Sequence, residues 1–437
     1  MTRTGATCRV LVVLLAVSTS ACFGAGAQDP PDSATTTPED PLGTITIEPG
    51  APIELATMLA GASGPGSTTG VDAVRGVRLA VDFLDGKLDG SSGPLLNHPV
   101  ELVEIPETCE GGRSVETAVP DVDVDVVGVI GPGCARSVRA EPATSLAERG
   151  VVMISPTATE AELTDPSQRP PTFFRTAYND LVEGKAVADY AAGELEALRS
   201  GVATDEAGST GAASSFRSTF EEDLGIVAVS GTLDGPADAS RLVRAIALGR
   251  PEFVFLVGRR PACADAARES GELPALRAVP VVTSVGCFDP AFVAVDAASP
   301  LQYLSGPDLT QMLEDDFYRM EFLPAYQEQF GSSPVGPFHA HAYDATLMLL
   351  DAIDRIAEQS EDGTLTIGRT ALQEAVAATS GVSGISGMIT CSETGDCAPD
   401  PTIAVYLVPD VPLAGGSLDA VPVFSETVAL ADLVTPA

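Results

Sequence analysis

Cationic side chains are scarce in this chain: 24 lysines and arginines stand against 61 aspartates and glutamates, for a formal net charge of −37. That balance excludes a nucleic-acid footprint, which needs clustered Lys and Arg, and disfavours an electrostatic hold on anionic lipid. Histidine is scarcer still, at three residues, His98, His339 and His341. His339 and His341 lie two apart in a helical stretch, so they face different ways and do not share an ion. No CxxC pair is present and no histidine lies near the cysteines, which argues against a metal centre. No G-x-S-x-G elbow occurs, and the carboxylates fall mostly on polar helix faces such as Glu221, Glu222 and Asp223. Gly128 to Gly133 is not spaced G-x-G-x-x-G and lacks an acidic ribose partner about 20 residues on. Together these gaps point away from an enzyme, a metal protein or a nucleotide binder, and no cofactor is expected.

Long apolar runs are also missing: Val10 to Val17 is too short to remain as a membrane span. With Arg3 and Arg9 before it and small residues up to Cys22 after it, the run reads as a secretory signal. Two cleavage patterns compete, a lipobox at Thr19-Ser20-Ala21 before an acylated Cys22, and an A-x-A site at Ala25-Gly26-Ala27. The lipobox is preferred, because the Pro-, Thr- and Asp-rich segment after it is suited to a disordered tether. The expected location is the outer face of a bacterial cell membrane, held by the lipid, with simple secretion as the alternative. Export leaves six cysteines in an oxidising compartment, and proximity pairs Cys109 with Cys134, Cys263 with Cys287 and Cys391 with Cys397.

What is present in abundance is apolar sequence, 45% of 437 residues, enough for two cores in two lobes of roughly 150 residues. The stretch Val126 to Thr164 organises the first. It reads as a buried strand (VVGVI), a Gly131-Pro132-Gly133 turn, a helix to about Arg149, a second strand (VVMI) and a polar turn from Ser155 to Thr159. A right-handed crossover of this kind puts both turns on one rim of a parallel sheet, where backbone N–H groups can receive an anion. The turns carry hydroxyls and no lysine or histidine, so they suit capture. Strands are also expected at Thr44 to Ile47, opening the first lobe, and at Val100 to Ile105, with a helix from about Val71 to Leu88 between them. The alternation restarts after Phe173 to Ala177 and runs through strands near Val202, Ile226, Phe253 and Pro280. Crossings at Phe173 to Ala177, at Gln302 to Ser305 and after Gly381 to Gly387 make a three-strand hinge.

Three further runs, FFRTAYNDLVEG (Phe173 to Gly184), GVRLAVDFLDG (Gly76 to Gly86) and HAYDATLMLLDAI (His341 to Ile353), join ISPTATEAELT in a resemblance. Over about residues 44 to 408 the chain is similar to the type I periplasmic binding proteins, in the leucine/isoleucine/valine-binding branch that serves amino-acid ABC importers. The resemblance implies an α/β fold of two lobes, each a mostly parallel sheet flanked by helices. With the signal peptide at 1–21 and the tether at 22–43 already read from the N-terminal residues, the lobes divide as lobe I at 44–176 and 305–387 and lobe II at 177–304 and 388–437. The resemblance also implies capture of a branched-chain or related amino acid between the lobes, ABC permease subunits as partners, and a monomer. A ligand-sensing receptor of the same fold is the alternative.

The same resemblance assigns a head-group site to the PTAT turn. Thr157 would offer its carbonyl to an ammonium and Thr159 its hydroxyl and N–H to a carboxylate, with Ala158 between them. The competing reading is that Thr157 and Thr159 cap the turn that follows. Ala135 stands where the family has a serine, so Ser137 is the nearest substitute hydroxyl. Thr210 replaces an expected aromatic residue, and the acid expected near Ser284 to Gly286 is missing. Asp180, four residues after Thr176 in the RT-xxx-D pattern, is a hinge or cleft candidate. Arg259 and Arg260 take positions where the family often has aromatics, and a guanidinium there would suit a second carboxylate. The Cys109–Cys134 pairing matches a bridge of that family.

Overall fold

The computed structural model describes residues 40–59, 67–107, 126–140, 143–205, 210–233, 236–258, 262–287, 302–407 and 421–433. The chain divides into Met1–Glu39 and Asp40–Ala437, and the described residues all belong to the second unit. Cys22 therefore lies outside the described residues, as does the short helix expected near Arg113.

One parallel and one mostly parallel sheet carry the architecture. The first has five strands in the order β3 (Val100–Glu104), β2 (Ile53–Thr57), β4 (Gly128–Ile130), β5 (Val152–Ser155) and β6 (Phe173–Arg175), every neighbouring pair parallel. Alternate residues feed opposite faces. Ile130, Ile154 and Phe174 join Met348, Leu349 and Ile353 of the helix Phe338–Ile356 on one side, while Val129, Met153 and Phe173 join Ala143 and Leu146 of the helix Ala143–Glu148 on the other. A strand buried on both faces must be apolar at consecutive positions, which is why VVGVI and VVMI are continuous runs and not alternating ones.

The second sheet has seven strands. Its order is β17 (Phe424–Thr427), β16 (Thr402–Leu407), β11 (Gln302–Pro307), β10 (Val281–Ser284), β9 (Phe253–Val257), β7 (Arg199–Asp205) and β8 (Ile226–Leu233). The five from β11 to β8 are parallel and the two at the other end are antiparallel. The same parity recurs: Phe253, Phe255 and Val257 face one core, Val254 and Leu256 the other. The chain passes from the first sheet to the second after β6, returns after β11, and crosses again before β16, which is the three-strand hinge expected of this fold class.

Two expectations about elements need correcting. The strand β1 forms at Thr44–Ile47 as expected, but it lies outside the first lobe's parallel sheet. It pairs antiparallel with β13 (Leu365–Gly368) in a small sheet completed by β12 (Glu358–Gln359), and Ile53–Thr57 takes the interior position instead. Glu54, partly exposed, interrupts the apolar run there, and Pro49, Gly50 and Pro52 before it read as a turn. The single helix expected up to Arg149 is two short ones, Ala135–Val138 and Ala143–Glu148. Pro142 between them has no N–H to give a continuing helix and disfavours helical geometry in the residue before it.

Helix pairs approach closely at glycine. A Cβ added to Gly184 in the helix Asp180–Asp189 would overlap the carbonyl oxygen of Ala212 in the helix Thr210–Glu222 and lie 2.9 Å from the Phe216 nitrogen. Backbone cannot yield as a side chain does. Gly184→Ala is therefore expected to cost at least the ~1–3 kcal/mol of an overpacked site, read as a lower urea midpoint at unchanged slope; a midpoint equal to the parent's would show that the helices separate freely.

Candidate functional site

The two expected rim turns are stitched together by side chains. The Ser155 hydroxyl donates to the Pro132 carbonyl at 2.6 Å and accepts from the Ala158 N–H at 3.1 Å. The Thr157 hydroxyl donates to the Gly133 carbonyl at 2.7 Å. Close packing explains the glycines: Gly131 sits at φ +130° with its Cα against the Met58 carbonyl, and a Cβ on Gly133 would come within 2.8 Å of Glu107 Oε2.

Glu107 changes the chemistry available at this rim. Its carboxylate, buried, accepts from the Gly133 N–H at 2.9 Å and the Cys134 N–H at 3.1 Å. The anion-receiving N–H groups of the first turn are thus engaged by the protein's own carboxylate. What the second turn offers is different. Thr159 is half-buried, its carbonyl accepts from the Asp180 N–H at 2.8 Å, and no protein group among the described residues engages its hydroxyl. The capping alternative does not describe these threonines. The 3-10 turn Ala161–Thr164 has Glu160 at its N-cap, without a side-chain cap bond, and the Thr157 hydroxyl reaches back to Gly133.

Asp180 begins the helix Asp180–Asp189, whose N-cap Asn179 accepts from the Leu181 N–H at 3.1 Å. Its Oδ1 accepts from the Ala161 N–H at 3.0 Å, while Oδ2 is buried without a partner. Burial, reinforced by the nearby Glu160, pushes its carboxyl well above the usual carboxylate range, with Arg175 opposing. Gly211 packs against Asp180 Oδ1 and Ala161, so the chain at Thr210, the first residue of its helix, adjoins this junction. Ser137 sits buried on the helix Ala135–Val138. The structure thus brings Thr157, Ala158, Thr159 and Asp180 together, with Ser137 on the neighbouring turn's helix. Arg259 and Arg260 lie outside the described residues.

Three buried groups escaped the sequence reading as site elements. Arg175, fully buried, pairs with Asp396 at 2.6 Å and gives its remaining donors to the carbonyls of Ala158 and Glu160 and the Thr164 hydroxyl. Glu107 is the second. Glu183 is the third: Tyr178 donates to it at 3.1 Å and Ser305 of β11 at 2.6 Å, and burial raises its carboxyl to about 7 against those bonds. Asp344 is raised to about 6 for the same reason while accepting from the Ile385 and Ser386 N–H groups.

The histidines are packed as core residues. His339 Nε2 lies 2.7 Å from the Tyr318 hydroxyl and Nδ1 2.6 Å from the Gly336 carbonyl; His341 Nδ1 meets the Thr176 carbonyl at 2.9 Å. Burial lowers both to about 4, so they are neutral at ordinary pH. Cys263 and Cys287 are bonded, as are Cys391 and Cys397. Cys134 is disulfide-bonded too, and its expected partner Cys109 lies outside the described residues. Among the described residues no group of His, Cys, Asp and Glu is arranged to hold a metal, and no helix is long and apolar enough to cross a membrane.

The fold is a two-lobed α/β one whose rim turns offer hydrogen bonds. A periplasmic binding protein family model matches residues 57–406, and the chain belongs to that family. It is 26% identical over 344 residues to the Leu/Ile/Val-binding protein BraC3 of Rhizobium johnstonii, covering 78% of this chain and 87% of that one. A Pseudomonas aeruginosa protein that binds leucine, isoleucine, valine, threonine and alanine is 26% identical over 300 residues, 68% of this chain and 76% of its own. Among solved structures, a leucine-binding protein LivK from Thermotoga maritima superposes with a TM-score of 0.67 at 21% identity, over 86% of this chain and 98% of the other. A solute-binding protein from Rhodopseudomonas palustris in complex with p-hydroxybenzoic acid superposes at 0.68 and 18% identity, over 86% and 97%. The protein has the fold of the two-lobed type I periplasmic binding proteins, and the two relatives it resembles in sequence are the ones named for branched-chain amino acids. It binds a solute, is not an enzyme, and works outside the cytoplasm.

Proposed function

We propose that this protein captures an amino acid or a closely related small carboxylate between its lobes and delivers it to an ABC permease, held at the outer membrane face by an acylated Cys22. Lobe I comprises 44–176 and 305–387, lobe II 177–304 and 388–437. The observations that carry the ligand class are an unengaged Thr159 hydroxyl and an unpartnered Asp180 Oδ2 on neighbouring segments, which the Asp180 N–H joins through the Thr159 carbonyl. The hydroxyl receives the carboxylate of a zwitterion. Asp180, with the Thr157 carbonyl, receives the ammonium and replaces the acid missing near Ser284. Burial strengthens the hold of the Asp180 carboxyl on its proton and a cation arriving beside it favours the charged form, so head-group binding and the charge on Asp180 are linked. The amino-acid-binding relatives support this reading, in which Ser137, Ala158 and Thr210 are further contacts of the solute.

The p-hydroxybenzoic acid bound by the Rhodopseudomonas protein motivates a second reading, an aromatic carboxylate without an ammonium. One melt series separates the two. Saturating binding of the right solute raises stability by RT ln(1 + [L]/Kd), about 2.7 kcal/mol at one hundred times Kd. We expect a rise with an aliphatic amino acid from a panel that includes leucine, isoleucine, valine, threonine, benzoate and p-hydroxybenzoate. Thr159→Val keeps the shape and removes the hydroxyl, leaving a buried carboxylate short of a bond at a cost of about 1–3 kcal/mol, which removes most of the rise. Asp180→Asn should abolish a response to leucine and spare one to benzoate. A Thr159→Val protein that responds as strongly as the parent places the site elsewhere.

A further inference from the structure

The closed loop Cys391–Cys397, CSETGDC, lies against β6, on the chain's third passage between the sheets. The Arg175 N–H donates to the Gly395 carbonyl and the Cys397 N–H to the Arg175 carbonyl, both at 2.9 Å, so the loop adds a single parallel bridge beyond the sheet's edge strand. Within the loop, the Ser392 N–H donates to the Asp396 carbonyl at 2.8 Å. Gly395, at φ +83°, has no room for a side chain between Arg169 and the Phe173 carbonyl, and Arg169 also donates to the Glu393 carbonyl at 3.2 Å. Six-residue closure and this seating leave Asp396 one place to be.

From that place Asp396 accepts from Arg175 Nε at 2.6 Å, both side chains being buried. With Nε committed, the guanidinium plane is fixed and its other nitrogens are aimed: Nη1 donates to the carbonyls of Ala158 at 3.3 Å and Glu160 at 2.8 Å, and Nη2 to the Thr164 hydroxyl at 2.8 Å. The two carbonyls flank Thr159. A planar fork can hold two backbone oxygens only if its own orientation is set elsewhere.

We infer that Arg175 and Asp396 are positioning residues for the Thr159 turn, and that the Cys391–Cys397 bridge holds Asp396 in register for that task. A covalent loop on the return segment of the hinge thereby sets the geometry of the turn on the opposite side of β6. This rests on the reading that Thr159 contacts the solute, but the positioning itself is measurable without any solute.

The test is amide hydrogen exchange on the full chain, comparing the parent with Asp396→Asn and with Cys391→Ser/Cys397→Ser. The amides of Ala158, Ala161 and Leu163 are each hydrogen-bonded, to the Ser155 hydroxyl, Asp180 Oδ1 and the Glu160 carbonyl. They are expected to exchange about tenfold faster in both variants, while amides of Phe253–Val257 in the second sheet keep their protection. In parallel melts with L-leucine, the response of both variants should fall relative to the parent. Unchanged protection at the three amides, or an equal rise across both sheets, overturns the proposal. Should Asp396→Asn fail to fold, the cysteine variant decides alone. Selective exchange combined with a parent that responds to no solute would uphold the positioning and sink the amino-acid reading instead.

Discussion

Arg175→Met is expected to destabilise the protein by about 3–5 kcal/mol, the scale for breaking a buried ion pair by removing one partner. The variant fills most of the volume but leaves Asp396 buried without its cation, and strands the carbonyls of Ala158 and Glu160 and the Thr164 hydroxyl. The loss exceeds the net worth of the pair, because much of it is the cost of an uncompensated charge. The pairing of Arg175→Met with Asp396→Leu should recover a substantial part, since the double change removes both charges. Urea melts of the two single variants and the double complete the cycle. Single variants whose losses simply add, with no recovery in the double, would mean that the ion pair is not the element at stake.

A second large effect is expected with pH. Glu183 is raised from the ordinary glutamate value of 4.5 to about 7 by burial, and Asp344 from 3.8 to about 6. A carboxyl with a raised folded-state value binds its proton more tightly in the native than in the unfolded chain. Stability is therefore fully present below the ordinary value and is lost as pH rises through the folded value. For Glu183 the displacement corresponds to on the order of 3 kcal/mol between pH 4.5 and 7. Melting temperature should fall from pH 5 to pH 7.5. Net charge of −37 pushes in the same direction through repulsion, so the parent's slope alone is ambiguous. Glu183→Gln resolves it: an amide keeps the size and cannot ionise, so the variant should lose most of the slope and exceed the parent at pH 7.5. A Glu183→Gln protein with the parent's full slope would assign the pH dependence to Asp344 and surface charge.

The sequence by itself determined the layered architecture, because that information is local. A run such as FVFLV, apolar at every position, has only one economical fate, a parallel strand covered on both faces, and Phe253 and Val254 do face opposite cores. The Ser155–Thr159 turn was legible for the same reason: a polar cluster after a buried strand must sit at the rim. Ile53–Thr57 was not legible, since Glu54 and the flanking prolines imitate a turn, and only packing between β3 and β4 makes it a central strand. The chemistry of the rim was decided by tertiary structure alone. Glu107 lies 26 residues from the N–H it occupies, Glu183 lies 122 from Ser305, and Arg175 lies 221 from Asp396. No periodicity links residues so far apart. An acid on a polar stretch looks solvated in sequence, and it becomes a cap, a proton reservoir or a clasp only when folding excludes water around it and supplies a single partner.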